Sequence, residues 1–122
     1  MKKIYHLSTC STNQKILKEV NAVKKKAKLQ DIKAEPISPE QLDEMKKLAG
    51  SYEALFSRKA MKYRSMGLHE KQLTEKDYRK LILEEYTFLK RPVAIVGDQI
   101  FIGNTKAVVE ALKKALDAGI GV

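Results

Sequence analysis

The stretch Ile4-Tyr5-His6-Leu7-Ser8-Thr9-Cys10-Ser11-Thr12-Asn13-Gln14-Lys15 restricts the fold more than any other part of the chain. A short apolar run ends in small polar residues, after which Ile16, Leu17, Val20 and Val23 recur at helical spacing. This reads as a strand over residues 3–7, a tight turn and an amphipathic helix. Residues 29–34 read as a second strand, with Leu29 and Ile32 as its apolar positions. A helix between two strands of one sheet is a crossover, which favours parallel strands in a right-handed βαβ unit.

Glu35-Pro36 breaks this pattern. Ser38-Pro39-Glu40-Gln41 then combines an N-cap serine, proline at the first helical position and glutamine at the third, so a helix starts there. Leu42, Met45, Leu48 and Ala49 form its apolar face, and Gly50 supplies the left-handed residue that ends it. Ser51 caps a short turn through Tyr52, Leu55 and Phe56. Another short helix is expected over residues 58–66, stopped by Gly67, and Thr74-Glu75-Lys76-Asp77 opens a further one that carries Tyr78, Leu81 and Ile82 inward.

Beyond Arg91-Pro92 the character changes. Val93-Ala94-Ile95-Val96 and Gln99-Ile100-Phe101-Ile102 flank Gly97-Asp98, the signature of a β-hairpin with a two-residue turn of type I′ or II′. Gly103-Asn104-Thr105 caps a last helix with Val108, Val109, Leu112, Ala115 and Leu116 on one face, and residues from Gly119 read as a fraying tail. The order β-α-β, helices, β-β-α is that of an α/β chain with a thioredoxin-like fold. It implies a three-layer α/β/α domain over residues 1–122 with a helical insert at about 38–88. In 122 residues that are 43% hydrophobic there is material for one substantial core, and no repeat or linker marks a second domain.

Cys10 is the only cysteine, so no internal disulfide can form and a reducing, cytoplasmic setting is expected. The N-terminal apolar run, broken by His6, is too short for a signal sequence or a membrane span. At the start of a helix a thiol meets unpaired backbone N–H groups and the positive end of the macrodipole, both of which favour thiolate, so Cys10 is the candidate nucleophile. The competing reading is an inert, hydrophobe-like cysteine, with Ser11 or Thr12 capping the helix. Pro92, just ahead of the hairpin, is placed to carry a cis peptide beside the Cys10 turn; alternatively it only starts an edge strand.

The net charge of +9 suits a polyanionic partner, and Lys15, Lys18, Lys24, Lys25, Lys26, Lys28 and Lys33 crowd the first third. Lysines without interleaved aromatics make poor base-stacking platforms, so a solvated face is the stronger reading and nucleic acid is disfavoured as a partner.

These residues resemble the arsenate-reductase (ArsC-like) family, which includes the regulator Spx and glutathione-linked relatives. The resemblance is carried by Ile4-Tyr5-His6 ahead of Cys10, Leu55-Phe56, the run Tyr63-Arg64-Ser65-Met66-Gly67-Leu68, Arg91-Pro92-Val93 and the closing Val108-Val109 helix. It implies that Cys10 is the catalytic cysteine, that His6 helps to keep it ionised, and that Arg91 binds an oxyanion. Arg58 or its neighbour Ser57 falls at another such arginine position. Ser11, Thr12, Asn13, Lys15, Arg58, Arg91 and Pro92 form the implied anion- and thiol-binding set. For His6 a satisfied strand histidine is the competing reading.

The departures from the family pattern are specific. Asn13 stands where thioredoxin-linked and Spx-type members carry the second cysteine of Cys-x-x-Cys, so resolution requires an external thiol such as glutathione. Gln14 and Asn104 stand at or near positions where the family commonly has arginine. At roughly 1.5–3 kcal/mol for each charged hydrogen bond lost, this disfavours arsenate as the substrate. The expectation is a monomeric thiol reductase that takes glutathione or a small oxyanion and needs no metal or bound cofactor. The alternative is a non-catalytic, Spx-like module that binds a protein such as RNA polymerase.

Overall fold

A computed structural model describes residues 1–118 of the chain; the tail expected from Gly119 lies outside them. The elements are β1 (Lys2–His6), α1 (Ser11–Glu19), β2 (Lys28–Asp31), α2 (Pro39–Ala49), α3 (Met61–Ser65), α4 (Glu75–Glu84), β3 (Val93–Val96), β4 (Gln99–Ile102) and α5 (Lys106–Asp117). Short 3-10 turns cover residues 53–55, 68–70 and 86–88. They form two compact units, one built from residues 1–35 together with residues 91–118, the other from residues 36–90.

The first unit holds the sheet, in the order β2-β1-β3-β4. β1 and β2 run parallel, with Ile4 opposite Leu29 and His6 opposite Asp31, as the crossover helix requires. β1 and β3 are antiparallel with Tyr5 opposite Val93, and β3 and β4 form the expected hairpin with Val96 opposite Gln99. Within that hairpin Gly97 has φ +64° and Asp98 has no positive φ. Only the first turn residue is left-handed, so the turn is type II′. Ile4, Ala94 and Val96 on one sheet face pack with Ile16, Leu17, Val20 and Ala22 of the α1 region and with Val109, Leu112, Ala115 and Leu116 of α5. Thr105 caps α5 by accepting the Val108 N–H.

Two sequence expectations for this unit are corrected. Val23 is 78% exposed because α1 ends at Glu19 and the chain turns through Asn21 at φ +56°. The fully buried Ala22 takes the inward position instead, held by its N–H to the Leu17 carbonyl. In β2 the inward positions are Gln30 and, just past the strand, Ile32, whereas Leu29 is exposed. The alternation of side chains has period two, and its phase puts 30 and 32 on one side. The Gln30 amide meets burial by donating to the Glu35 carbonyl at 3.0 Å.

The second unit is helical. Ser38 and Gln41 form a capping box at the start of α2, which ends at Gly50 with φ +97°. Thr74 and Asp77 form another at the start of α4. Phe56 stacks with Phe88 at 5.0 Å and packs against Tyr78 at 4.9 Å, with Tyr63 edge-on. α2 and α4 are tied by Arg79, whose guanidinium donates twice to Asp43, and Asp43 also accepts the Tyr52 hydroxyl at 2.6 Å. α3 is shorter than expected: the 58–66 pattern yields helix only over Met61–Ser65, which buries no residue and is followed by Gly67 at φ +70°. Among the described residues no helix is long and apolar enough to cross a membrane.

Candidate functional site

The chain leaves β1 at His6 and reaches α1 through Leu7, Ser8, Thr9 and Cys10. A hydrogen bond from the Cys10 N–H to the Leu7 carbonyl at 3.1 Å closes this turn. Cys10 is half-buried and is itself the N-cap of α1, with extended backbone. Among the described residues no side chain caps this helix, and its first turn has no acidic residue. The competing reading, in which Ser11 or Thr12 caps α1, does not hold. They are its first and second residues and both are exposed. A thiol is a weak acceptor, so the leading amides of α1 stay available to an anion, with the positive end of the dipole beside the sulfur.

Asn13 has a role that its residue type did not announce. It is 1% exposed, its Oδ1 accepts the buried Leu7 N–H at 3.0 Å, and its Nδ2 donates to Cys10 Sγ at 3.4 Å. Both ends of the carboxamide are thus committed within the turn, one fixing the backbone before the cysteine and the other fixing the sulfur. The side chain is a donor to the thiol rather than an open anion ligand.

His6 is 8% exposed, and among the described residues its Nδ1 is a buried polar atom with no hydrogen-bond partner. Burial pushes its imidazole below the usual histidine range, and the Asp31 charge opposes that shift. Asp31, its partner across the parallel strands, also reaches the cysteine turn: its carboxylate accepts the Ser8 N–H at 3.3 Å and the Ser8 hydroxyl at 2.5 Å.

The β1–β3 register, carried one step past Tyr5 and Val93, sets Pro92 beside His6 at the sheet end where the Cys10 turn begins. Pro92 is buried, the Arg91–Pro92 peptide is cis, and the Pro92 carbonyl accepts the Gly103 N–H at 2.9 Å. Arg91 is half-buried and Lys15 lies exposed on α1 one turn beyond Ser11. The structure thus gathers Cys10, Ser11, Thr12, Asn13, Lys15, His6, Arg91 and Pro92 in one unit. Arg58 belongs to the other, where its guanidinium donates to Glu53 at 2.7 Å and to the Tyr78 hydroxyl at 2.9 Å. Asp31 escaped sequence reasoning. The available signal was an aspartate closing a strand just before a turn, the position where its side chain caps local amides.

A search of curated proteins found no match. The ArsC family matches residues 5–112, a span that includes Cys10 and Arg91. Among solved structures, the arsenate reductase of Vibrio cholerae is similar with a TM-score of 0.76 at 18% identity, covering 93% of this chain and 96% of that one. An arsenate reductase (ArsC) related protein from Brucella melitensis is similar with a TM-score of 0.70 at 24% identity, covering 90% and 92%. The sheet order and inserted helices described above are thus a thioredoxin-like α/β fold, and the chain belongs to the ArsC family.

Proposed function

We propose that this protein is a thiol-dependent reductase in which Cys10 is the single attacking sulfur and glutathione is the external thiol. The observation that carries the reading is the Asn13 carboxamide donating to Cys10 Sγ at an uncapped helix N-terminus. That arrangement puts a hydrogen-bond donor on the sulfur and the leading α1 amides beside it, at the place where a substrate arrives.

The cycle proceeds by thiol–disulfide exchange. Cys10 thiolate attacks the glutathione sulfur of a mixed disulfide, the substrate thiolate leaves and takes a proton, and a Cys10–glutathione disulfide forms. A second glutathione thiolate then attacks the glutathione sulfur, releasing Cys10 thiolate and oxidised glutathione. The substrate sulfur is reduced and the sulfur of the second glutathione is oxidised, one disulfide being consumed and one formed, so atoms and electrons balance. Asn13 stabilises the departing Cys10 thiolate in the second step, and the α1 amides, Lys15 and Arg91 are the groups assigned to the carboxylates of glutathione. His6, held neutral by burial, offers a proton site rather than a fixed positive charge.

Arsenate is the weaker candidate substrate. A compact tetrahedral anion needs several convergent donors, and Gln14 is neutral where related reductases commonly have arginine, as is Asn104 near another such position. Side-by-side turnover assays with a small glutathione mixed disulfide and with arsenate, each with glutathione present, test the reading. Disulfide turnover that is lost in Cys10→Ser and exceeds arsenate turnover supports it. Robust arsenate reduction without disulfide turnover reverses the ranking, and neither activity transfers the weight to a partner-binding, Spx-like module.

A further inference from the structure

We infer that Asp31 is a positioning residue for Cys10: from the end of β2 its carboxylate anchors Ser8, and with it the turn that carries the thiol, without touching the sulfur. The inference rests on the proposed role of Cys10 as the attacking group. It follows from how the parallel ladder ends. The Ile32 N–H bonds the His6 carbonyl at 2.9 Å, the last main-chain rung between β2 and the end of β1 among the described residues. Past that point β2 turns away, with the Glu35 N–H on the Asp31 carbonyl at 2.8 Å. The Asp31 side chain continues the ladder in place of backbone through Oδ1, which accepts the Ser8 N–H, and adds a second bond from the Ser8 hydroxyl to Oδ2. Oδ1 also accepts the Lys33 N–H at 3.2 Å, so the same carboxylate fixes the turn that takes β2 out of the sheet.

The turn from Leu7 to Cys10 is consequently held from two sides. Asn13 grips Leu7 and the sulfur from within α1, and Asp31 grips Ser8 from the neighbouring strand. Neither grip is redundant, because the two bonds of Asn13 go to Leu7 and Cys10 and leave Ser8 to Asp31. With the Asp31 grip released, the thiol samples positions away from the α1 amides and the Asn13 donor, and its reaction with an electrophile slows. The carboxylate also faces His6 across the parallel pair, so one charge bears on both the turn and the buried imidazole.

Iodoacetamide alkylation of Cys10 at fixed neutral pH reads this directly and needs no physiological substrate. Asp31→Ala is expected to slow it about tenfold, the scale of one to two net hydrogen bonds. Asp31→Asn keeps an acceptor for the Ser8 and Lys33 amides and is expected to recover the rate to within about threefold of wild type. Asp43→Ala breaks a comparable carboxylate network in the helical unit and is expected to lower thermal stability without changing the alkylation rate. If Asp31→Ala does not fold, Ser8→Ala removes a single bond and is expected to slow alkylation about twofold to threefold. Wild-type rates in Asp31→Ala, or in Ser8→Ala where that variant stands in, overturn the inference, as does equal slowing in Asp43→Ala or failure of Asp31→Asn to rescue. A wild-type protein that alkylates at Cys10 yet never takes up glutathione overturns the proposed reductase instead, so the two failures are distinguishable.

Discussion

Replacing Asn13 by alanine separates two jobs that one carboxamide performs. The first is structural: the buried Leu7 N–H loses its acceptor, Oδ1 at 3.0 Å, and an unsatisfied buried donor costs about 1–3 kcal/mol. For a chain of this size that corresponds to a fall in melting temperature of roughly 4–12 °C, taking about 4 °C per kcal/mol. The second job is chemical. The Nδ2 donor to Cys10 Sγ disappears, and a bond to a charged acceptor is worth about 1.5–3 kcal/mol. Because Cys10 is half-buried, water replaces part of that bond, and the lower end applies: alkylation at neutral pH slows by about tenfold. Asn13→Asp keeps an acceptor for the Leu7 N–H but puts a buried carboxylate beside the sulfur, so it is expected to react more slowly than wild type and Asn13→Ala and to melt below wild type through the cost of the buried charge. Calorimetry and alkylation kinetics on the same samples measure both. Asn13→Ala protein that melts several degrees lower yet alkylates at the wild-type rate refutes the reasoning about the sulfur, and unchanged melting refutes the reasoning about Leu7.

Other outcomes follow from the same geometry. His6 is held below its ordinary value of 6.5, so burial favours the neutral ring; its contribution to stability is intact above that value and declines as pH falls from there through the lower folded value, a decline that thermal melts from pH 8 to 5 show in wild type and not in His6→Gln. Asp43 is held at about 2 against an ordinary 3.8, mainly by the Arg79 hydrogen bonds; its contribution is complete above the ordinary value and is lost as pH falls through about 2, and Asp43→Asn abolishes that part of the acid-unfolding curve. Asn13→Cys restores the second thiol of a Cys-x-x-Cys pair where a side-chain atom already lies 3.4 Å from Sγ; non-reducing peptide mapping is expected to find an internal disulfide between Cys10 and the introduced thiol, and free thiols after oxidation contradict this placement.

Much of the fold was legible because its signals are local. Ser38-Pro39-Glu40-Gln41, Gly97-Asp98 and Thr105 each settle the backbone through their own side chains or φ preferences, and the helices and hairpin stand where those residues put them. Val23 and Leu29 depart from the apolar pattern for different reasons. Apolar spacing reports which residues are able to be buried, whereas Val23 is turned out by the left-handed Asn21 that follows α1 and Leu29 by the phase of β2, which depends on strand register, a non-local property. The site divides in the same way. Cys10 was legible from its place between a strand and a helix. Asn13 stands out in the sequence only by what it lacks, a second sulfur, because its burial and both of its bonds depend on the closed turn. Asp31 reaches Ser8 across 23 residues of sequence, through a parallel pairing that no local pattern specifies.

The most direct test of the central claim is intact-protein mass spectrometry after incubation with oxidised glutathione, followed by addition of reduced glutathione. The account predicts one glutathione per chain, located at Cys10 by peptide mapping, absent in Cys10→Ser and removed by reduced glutathione. A wild-type chain that remains unmodified while its Cys10 still reacts with iodoacetamide contradicts it.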